Sequence, residues 1–215
     1  MPGSVPPPRP DRPLRIGLTG GIGAGKSTVA ALWRERGLRV IDLDAHSRAV
    51  LDVPGDGVEE AIVRFGEGVR NPAGTIDRAA MARIVFADAA ARADLEQIVL
   101  SRVVRAGAEE EAEAAVSGER VIVHDSPLLL EKHSESDYDA VVAVLARRED
   151  RIERVVRDRG RDRGYVESVM AAQVTDLERI RRADRLVLNT ADRPALLARS
   201  GRALDAVLEE HDLRT

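Results

Sequence analysis

Cysteine is absent from all 215 residues, which excludes both a disulfide framework and a thiolate metal site. Aromatic residues make up only 2% of the chain. The core must therefore be built from Ala, Val, Leu and Ile, and base-stacking platforms for single-stranded nucleic acid are excluded. The four histidines, His46, His124, His133 and His211, lack the spacing of a zinc site. No apolar run approaches the roughly 18 residues of a membrane span. Residues 1–13 are rich in proline and contain no apolar stretch of the signal-peptide kind, so they read as a disordered tail. The net charge of −4 gives no overall field that would draw in nucleic acid. These absences leave a cytoplasmic, globular chain with neither nucleic acid nor membrane as partner, and they leave the oligomeric state open.

Lysine is scarcer still than the aromatics. Arginine supplies almost all the positive charge, and the only lysines are Lys26 and Lys132. Lys26 closes the stretch Gly20-Gly21-Ile22-Gly23-Ala24-Gly25-Lys26-Ser27, which fits G-x-x-x-x-G-K-[ST]. An apolar strand, Leu14–Thr19, precedes it, and a helix is expected from Ser27 to Arg36. A strand, a glycine-rich turn and a helix start gather backbone N–H groups and a positive helix end around one anion. Gly21, Ile22, Gly23, Ala24, Gly25, Lys26, Ser27 and Thr28 are thus expected to bind a nucleoside triphosphate. Lys26 would reach its terminal phosphates and Ser27 would hold Mg²⁺.

Further strands are expected over 38–42, 120–125, 139–145 and 185–189. Helices are expected over about 45–51, 58–65, 78–87 with Asp77 as cap, 88–116, 148–157, 165–180 and 194–210. Residues 66–75 and 158–164 read as loop and charged turn. Strands that alternate with helices predict a parallel sheet covered on both faces, with ligands at the carboxyl ends of the strands. About 75 residues separate the second strand from the third, far more than one crossover needs. That insertion, residues 43–119, is the natural home of a second substrate. Residues 14–42 and 120–215 form the nucleotide-binding core. Between Arg147 and Arg163 stand eight arginines against five acids, where a phosphate-covering lid (147–164) would lie.

Asp42 and Asp44 both fall at the carboxyl end of the second strand and are two residues apart, so either could orient an acceptor hydroxyl. Asp125 ends an apolar strand, as would a carboxylate that organises Mg²⁺, although Ser126-Pro127 after it equally suggests a helix N-cap. Arg78 could meet an acceptor phosphate or form a surface ion pair near Asp77.

Taken together, these residues resemble the dephospho-coenzyme A kinase family of P-loop kinases. The resemblance is carried by I-G-L-T-G-G-I-G-A-G-K-S-T-V-A at the loop, V-I-D-L-D at 40–44, F-G at 65–66 and I-D-R at 76–78. It continues through V-F at 85–86, D-S-P-L-L-L-E at 125–131, Gln173, A-D at 183–184 and Asn189. It implies a three-layer α/β/α P-loop NTPase fold. The five-stranded parallel sheet would have the order 2-3-1-4-5, with a helical acceptor-binding insertion and an arginine lid. It implies transfer of the γ-phosphoryl group of ATP to the ribose 3′-hydroxyl of dephospho-CoA, with Mg²⁺ as cofactor. Asp44 matches the family's proposed catalytic carboxylate. The resemblance further implies that Arg154, Arg157 and Asn189 join the loop around the nucleotide. The acceptor would be bound by Asp44, Phe65, Arg78, Asp125 and Leu128. The chain departs from the family at Leu100-Ser101, where His-Pro is usual, and at Leu130, where Phe is usual. The lid is also one residue longer than usual before Gln173.

The alternative reading is a P-loop kinase for another nucleotide or small hydroxylated acceptor. A GTPase reading fails, because Asn189-Thr190-Ala191-Asp192 lacks the lysine of N-K-x-D and Asp52-Val53-Pro54-Gly55 follows a helix instead of a strand.

Overall fold

Five parallel strands run side by side in the order β2-β3-β1-β4-β5. They are β1 (Leu14–Gly20), β2 (Arg39–Asp42), β3 (Val121–Asp125), β4 (Ala140–Leu145) and β5 (Arg185–Leu188). The computed structural model describes residues 12–213, so most of the expected tail at 1–13 lies outside the described residues. The central strands are buried on both faces, as their unbroken apolar runs require: β4 is A-V-V-A-V-L and every residue of it is buried. In register, Leu18 of β1 lies opposite Asp125 of β3, and Gly20 lies opposite Val144 of β4. The carboxyl ends of three strands therefore meet around the turn after β1.

Two compact units divide the chain. One holds the residues up to Ile41 together with those from Ala114 onward, and the other is Asp42–Glu113. The first is built on the sheet, with α1 (Lys26–Glu35) and α9 (Arg193–Glu210) contributing Trp33, Leu196 and Leu204 to the same core as Ile16, Leu18 and Val142. Trp33, the one tryptophan, is fully buried and donates its indole N–H to the Ser200 carbonyl at 3.2 Å. Also in this unit are α6 (Arg148–Arg159), α7 (Arg163–Ala172) and α8 (Asp176–Arg182). Ile152, Val155 and Val166 of α6 and α7 pack with Ile22 and Met170.

The second unit is helical. It holds α2 (Leu43–Asp52), α3 (Asp56–Phe65), α4 (Arg78–Ala87) and most of α5 (Ala89–Val116). Leu51, Val58, Ile62, Val69, Ile76 and Met81 form its own apolar core. Asp77 caps α4, its carboxylate accepting from the N–H groups of Ala79 and Ala80 at 2.8 and 3.0 Å.

Three local expectations are corrected. The single helix expected over 165–180 is broken at Gln173–Thr175, because Thr175 and Glu178 form a reciprocal capping box that starts α8 afresh. The charged turn at 158–164 is shorter than expected, since α6 reaches Arg159 and α7 starts at Arg163. No helix follows Asp125: residues 127–133 are turns, so Asp125 is not an N-cap. Among the described residues, no helix is long and apolar enough to cross a membrane.

Candidate nucleotide and acceptor site

The turn after β1 is shaped by glycines at positive φ. Gly23 sits at φ 72° and Gly25 at φ 97°, conformations that favour residues without a Cβ. Gly25 is the N-cap of α1, and neither a side-chain cap nor an acidic residue occupies that helix start. The Thr28 N–H is on the Gly25 carbonyl at 3.1 Å, so it is the N–H groups of Lys26 and Ser27 that stand at the positive end of the helix dipole for a ligand or solvent to satisfy. Such a helix start has the backbone chemistry that an anion takes.

Lys26 and Ser27 open α1. Lys26 donates from Nζ to Oδ1 of Asp125, the side chains being 17% and 5% exposed. Ser27 is exposed and Thr28 half-buried. Ser27 and Asp125 offer hard oxygen donors of the kind Mg²⁺ takes alongside waters and phosphate oxygens. No group of three or more His, Cys, Asp or Glu side chains suited to a metal stands together among the described residues. A Mg²⁺ held by one or two side chains plus phosphates fits such a donor set, whereas an all-protein cage does not.

The outer side of the loop is held by side chains from later in the chain. Asn189, buried just past β5, donates from Nδ2 to the Ala24 carbonyl at 2.9 Å. Arg154 donates to the carbonyls of Gly23 and Asn189, both at 3.2 Å. Arg151 is buried and donates from Nε to the Ile22 carbonyl at 2.9 Å, while the Ile22 N–H donates to Oε1 of Gln173, also at 2.9 Å. The glycines make this grip possible. A Cβ on Gly23 would stand 2.5 Å from the Arg151 carbonyl, and one on Gly21 would collide with the Arg151 guanidinium. Ile22 is therefore clamped at both its N–H and its carbonyl, and Asn189 and Arg154 touch the loop rather than open space. Arg157 points elsewhere, exposed and paired with Asp158 at 2.7 Å. Arg151 was not singled out by sequence, since it is one letter among eight arginines and its partner lies 129 residues away.

His124 is buried on β3, edge-on to Tyr138 with ring centroids 5.6 Å apart. Leu128 is 45% exposed in the turns after Asp125, and its neighbours Leu129 and Leu130 are fully buried.

In the second unit the two candidate bases separate by their present partners. Asp42 is the N-cap of α2 and accepts from the Ala45 N–H at 2.8 Å. Asp44, in the first turn of α2, is 46% exposed and paired with Arg48. Phe65 ends α3, partly buried against that unit's core. Arg78 makes a bidentate pair with Asp52 at 2.9 and 2.7 Å, not with the Asp77 neighbourhood. The Arg78 hydrogen bond lowers the Asp52 carboxyl below its ordinary value, although burial opposes it.

A family model described as dephospho-CoA kinase matches residues 14–194. The chain is similar to the dephospho-CoA kinase of Corynebacterium efficiens, 36% identical over 91% of this chain and 98% of that protein. It is similar to the dephospho-CoA kinase of Deinococcus radiodurans, 40% identical over 98% of each. Its fold is similar to the crystal structure of TT1252 from Thermus thermophilus, with a TM-score of 0.80 and 36% identity over 93% of this chain and 98% of that one.

Proposed function

The chain belongs to the dephospho-CoA kinase family, and on that premise we propose how its own residues move the γ-phosphoryl group of ATP to the ribose 3′-hydroxyl of dephospho-CoA. The products are CoA and ADP. The observation that carries the reading is the uncapped start of α1, with Lys26 beside it on a buried carboxylate.

Phosphoryl transfer passes through a loose transition state whose charge is spread over the moving group's oxygens, so catalysis is mainly positioning and electrostatics. The amides of Gly23, Gly25, Lys26 and Ser27 receive the phosphates, while those of Ala24 and Thr28 are already on the Gly21 and Gly25 carbonyls at 3.0 and 3.1 Å. Lys26 exchanges Asp125 for a β,γ-phosphate oxygen. Ser27 and Asp125 would hold Mg²⁺, which when bound neutralises charge on the phosphates. Ile22 acts through the shape of the loop, because its own N–H is already on Gln173.

Asp44 accepts the proton of the acceptor hydroxyl at a carboxylate oxygen once Arg48 releases it. An exposed pair of this kind is worth little in water, so its exchange is cheap. Arg154 and Asn189 brace the loop from behind, while Arg157 is the lid residue that would meet phosphate once it leaves Asp158. Phe65, Arg78 and Leu128 take the acceptor, with Arg78 trading Asp52 for its diphosphate. ATP as donor makes the cytoplasm the proposed place of action.

The test is a coupled assay for ADP release with and without dephospho-CoA. Release that depends on dephospho-CoA is expected, and release that is indifferent to it would overturn the acceptor.

A further inference from the structure

Two motif residues with no role in the transfer chemistry, Glu131 and Gln173, lie with the buried Arg151 on one circuit of contacts that begins and ends at Ile22. Arg151 donates from Nε to the Ile22 carbonyl at 2.9 Å and from Nη1 to both carboxylate oxygens of Asp176 at 3.2 and 3.3 Å. Asp176 also accepts from Arg179 Nη1 at 3.1 Å. Arg179, 2% exposed, donates on to Glu131 Oε1 at 3.1 Å and to the Val174 carbonyl at 2.6 Å. Glu131 Oε1 accepts the Val174 N–H at 3.2 Å, and the adjacent Gln173 returns to Ile22 by accepting its N–H at 2.9 Å.

The arrangement explains why α7 and α8 do not fuse. The link between them, Gln173-Val174-Thr175, is extended and is gripped at Val174 on both its N–H and its carbonyl. A helix running through would withdraw those groups and swing Gln173 away from the loop. Two buried arginines around shared carboxylates are an expensive construction unless each charge is met. Here Arg151 faces Asp176, and Arg179 faces Asp176 and Glu131. The charge-assisted bonds are short-range and directional, so they fix position more sharply than apolar packing does.

We propose that Arg151 and Gln173 are positioning residues for ATP. They hold the Ile22 peptide from its outer side so that the amides after it keep their aim at the phosphates, and Asp176, Arg179 and Glu131 hold them in turn. Neither residue touches substrate. Preorganised donors act only if their geometry is set before the ligand arrives, and a misplacement of about 1 Å costs on the order of 10²-fold. The inference rests on the nucleotide reading of the loop but not on the identity of the acceptor.

The test therefore measures ATP binding directly, by titration calorimetry, beside steady-state kinetics with dephospho-CoA. Arg151→Met and Gln173→Met should each weaken ATP by about tenfold or more. The KM for the acceptor should stay within about twofold, because a loop displaced at Ile22 changes the donor side alone. Gln173→Glu keeps an oxygen acceptor for the Ile22 N–H and should stay within about threefold of wild type for ATP. Circular dichroism and melting curves check that each variant folds, and Gln173→Met alone decides if Arg151→Met does not. Near-normal ATP affinity in the folded Met variants would overturn the proposal, as would equal losses for both substrates or a Gln173→Glu variant as weak as Gln173→Met. A wild-type enzyme that binds ATP but ignores dephospho-CoA would sink the acceptor reading and leave this test standing.

Discussion

Lys26 meets Asp125 where side chains are only 17% and 5% exposed, so a substitution there removes a charge partner from a place with little water. Lys26→Met should therefore do two separable things. Turnover should fall by about 10²-fold or more, since a donor to the transferring phosphates is lost. Stability should fall by about 1–3 kcal/mol, since a buried carboxylate loses one of its partners. Adding Asp125→Asn should recover part of the stability but none of the turnover, and denaturant midpoints set beside steady-state rates would show it. Strictly additive losses in stability would mean that the two side chains do not interact in solution. The neighbouring question of the base also has a two-variant answer. Asp44→Asn should lower kcat by about 10²-fold. Asp42→Asn should be nearly neutral, because Asn caps a helix as well as Asp does and Asp42 is engaged in capping. The reverse pattern in kcat would move the base to Asp42.

At the scale of elements, the start of β1 is fastened to the start of β4 through one carboxylate. Arg12 donates to both oxygens of Asp139 at 2.7 and 2.8 Å, and the Arg15 N–H donates to it at 2.7 Å. Burial pushes the Asp139 carboxyl up, but these donors outweigh it and hold the group below its ordinary value. A carboxyl whose folded pKa is depressed contributes stability above the unfolded value of about 3.9, and that stability fades as pH falls through the folded value. Asp139→Asn should thus cost about 1–3 kcal/mol near neutral pH, with a gap to wild type that narrows below about pH 4. Urea midpoints across that range are the check, and a gap that ignores pH would assign the effect to packing instead of charge. The strands themselves were legible because a parallel sheet demands unbroken apolar runs, as A-V-V-A-V-L in β4 shows. Their spatial order was not written in those runs and followed only from family resemblance. The break before α8 was half legible. Thr175 and Glu178 spell a capping box, but an apolar period through Val166, Met170, Val174 and Leu177 ran over it. Arg151 was illegible in principle, because what sets it apart from seven other arginines is its burial against a backbone carbonyl 129 residues away.

For the whole molecule, the property to test is discrimination among acceptors, and its proposed reader is the unit Asp42–Glu113. AMP offers the same ribose 3′-hydroxyl as dephospho-CoA but lacks the diphosphate and the pantetheine arm. If this unit reads those parts, their binding free energy should appear as a higher kcat/KM for the longer acceptor. One phosphate contact and some apolar burial together predict at least about 10²-fold discrimination. Arg78 is the residue on which this can be probed, because its present partner is replaceable. Its side chain is 60% exposed and that of Asp52 is 42% exposed. A pair so open to solvent contributes little and gives way readily to a diphosphate. Arg78→Ala should therefore lower kcat/KM for dephospho-CoA by about tenfold while leaving the poor rate on AMP unchanged, which narrows the gap. Asp52→Asn should act in the opposite sense, lowering the KM for dephospho-CoA by removing the competitor for Arg78. Parallel changes on both acceptors would show that Arg78 supports the fold of its unit and reads nothing. Equal wild-type rates on AMP and dephospho-CoA would remove the arm and the diphosphate from recognition altogether.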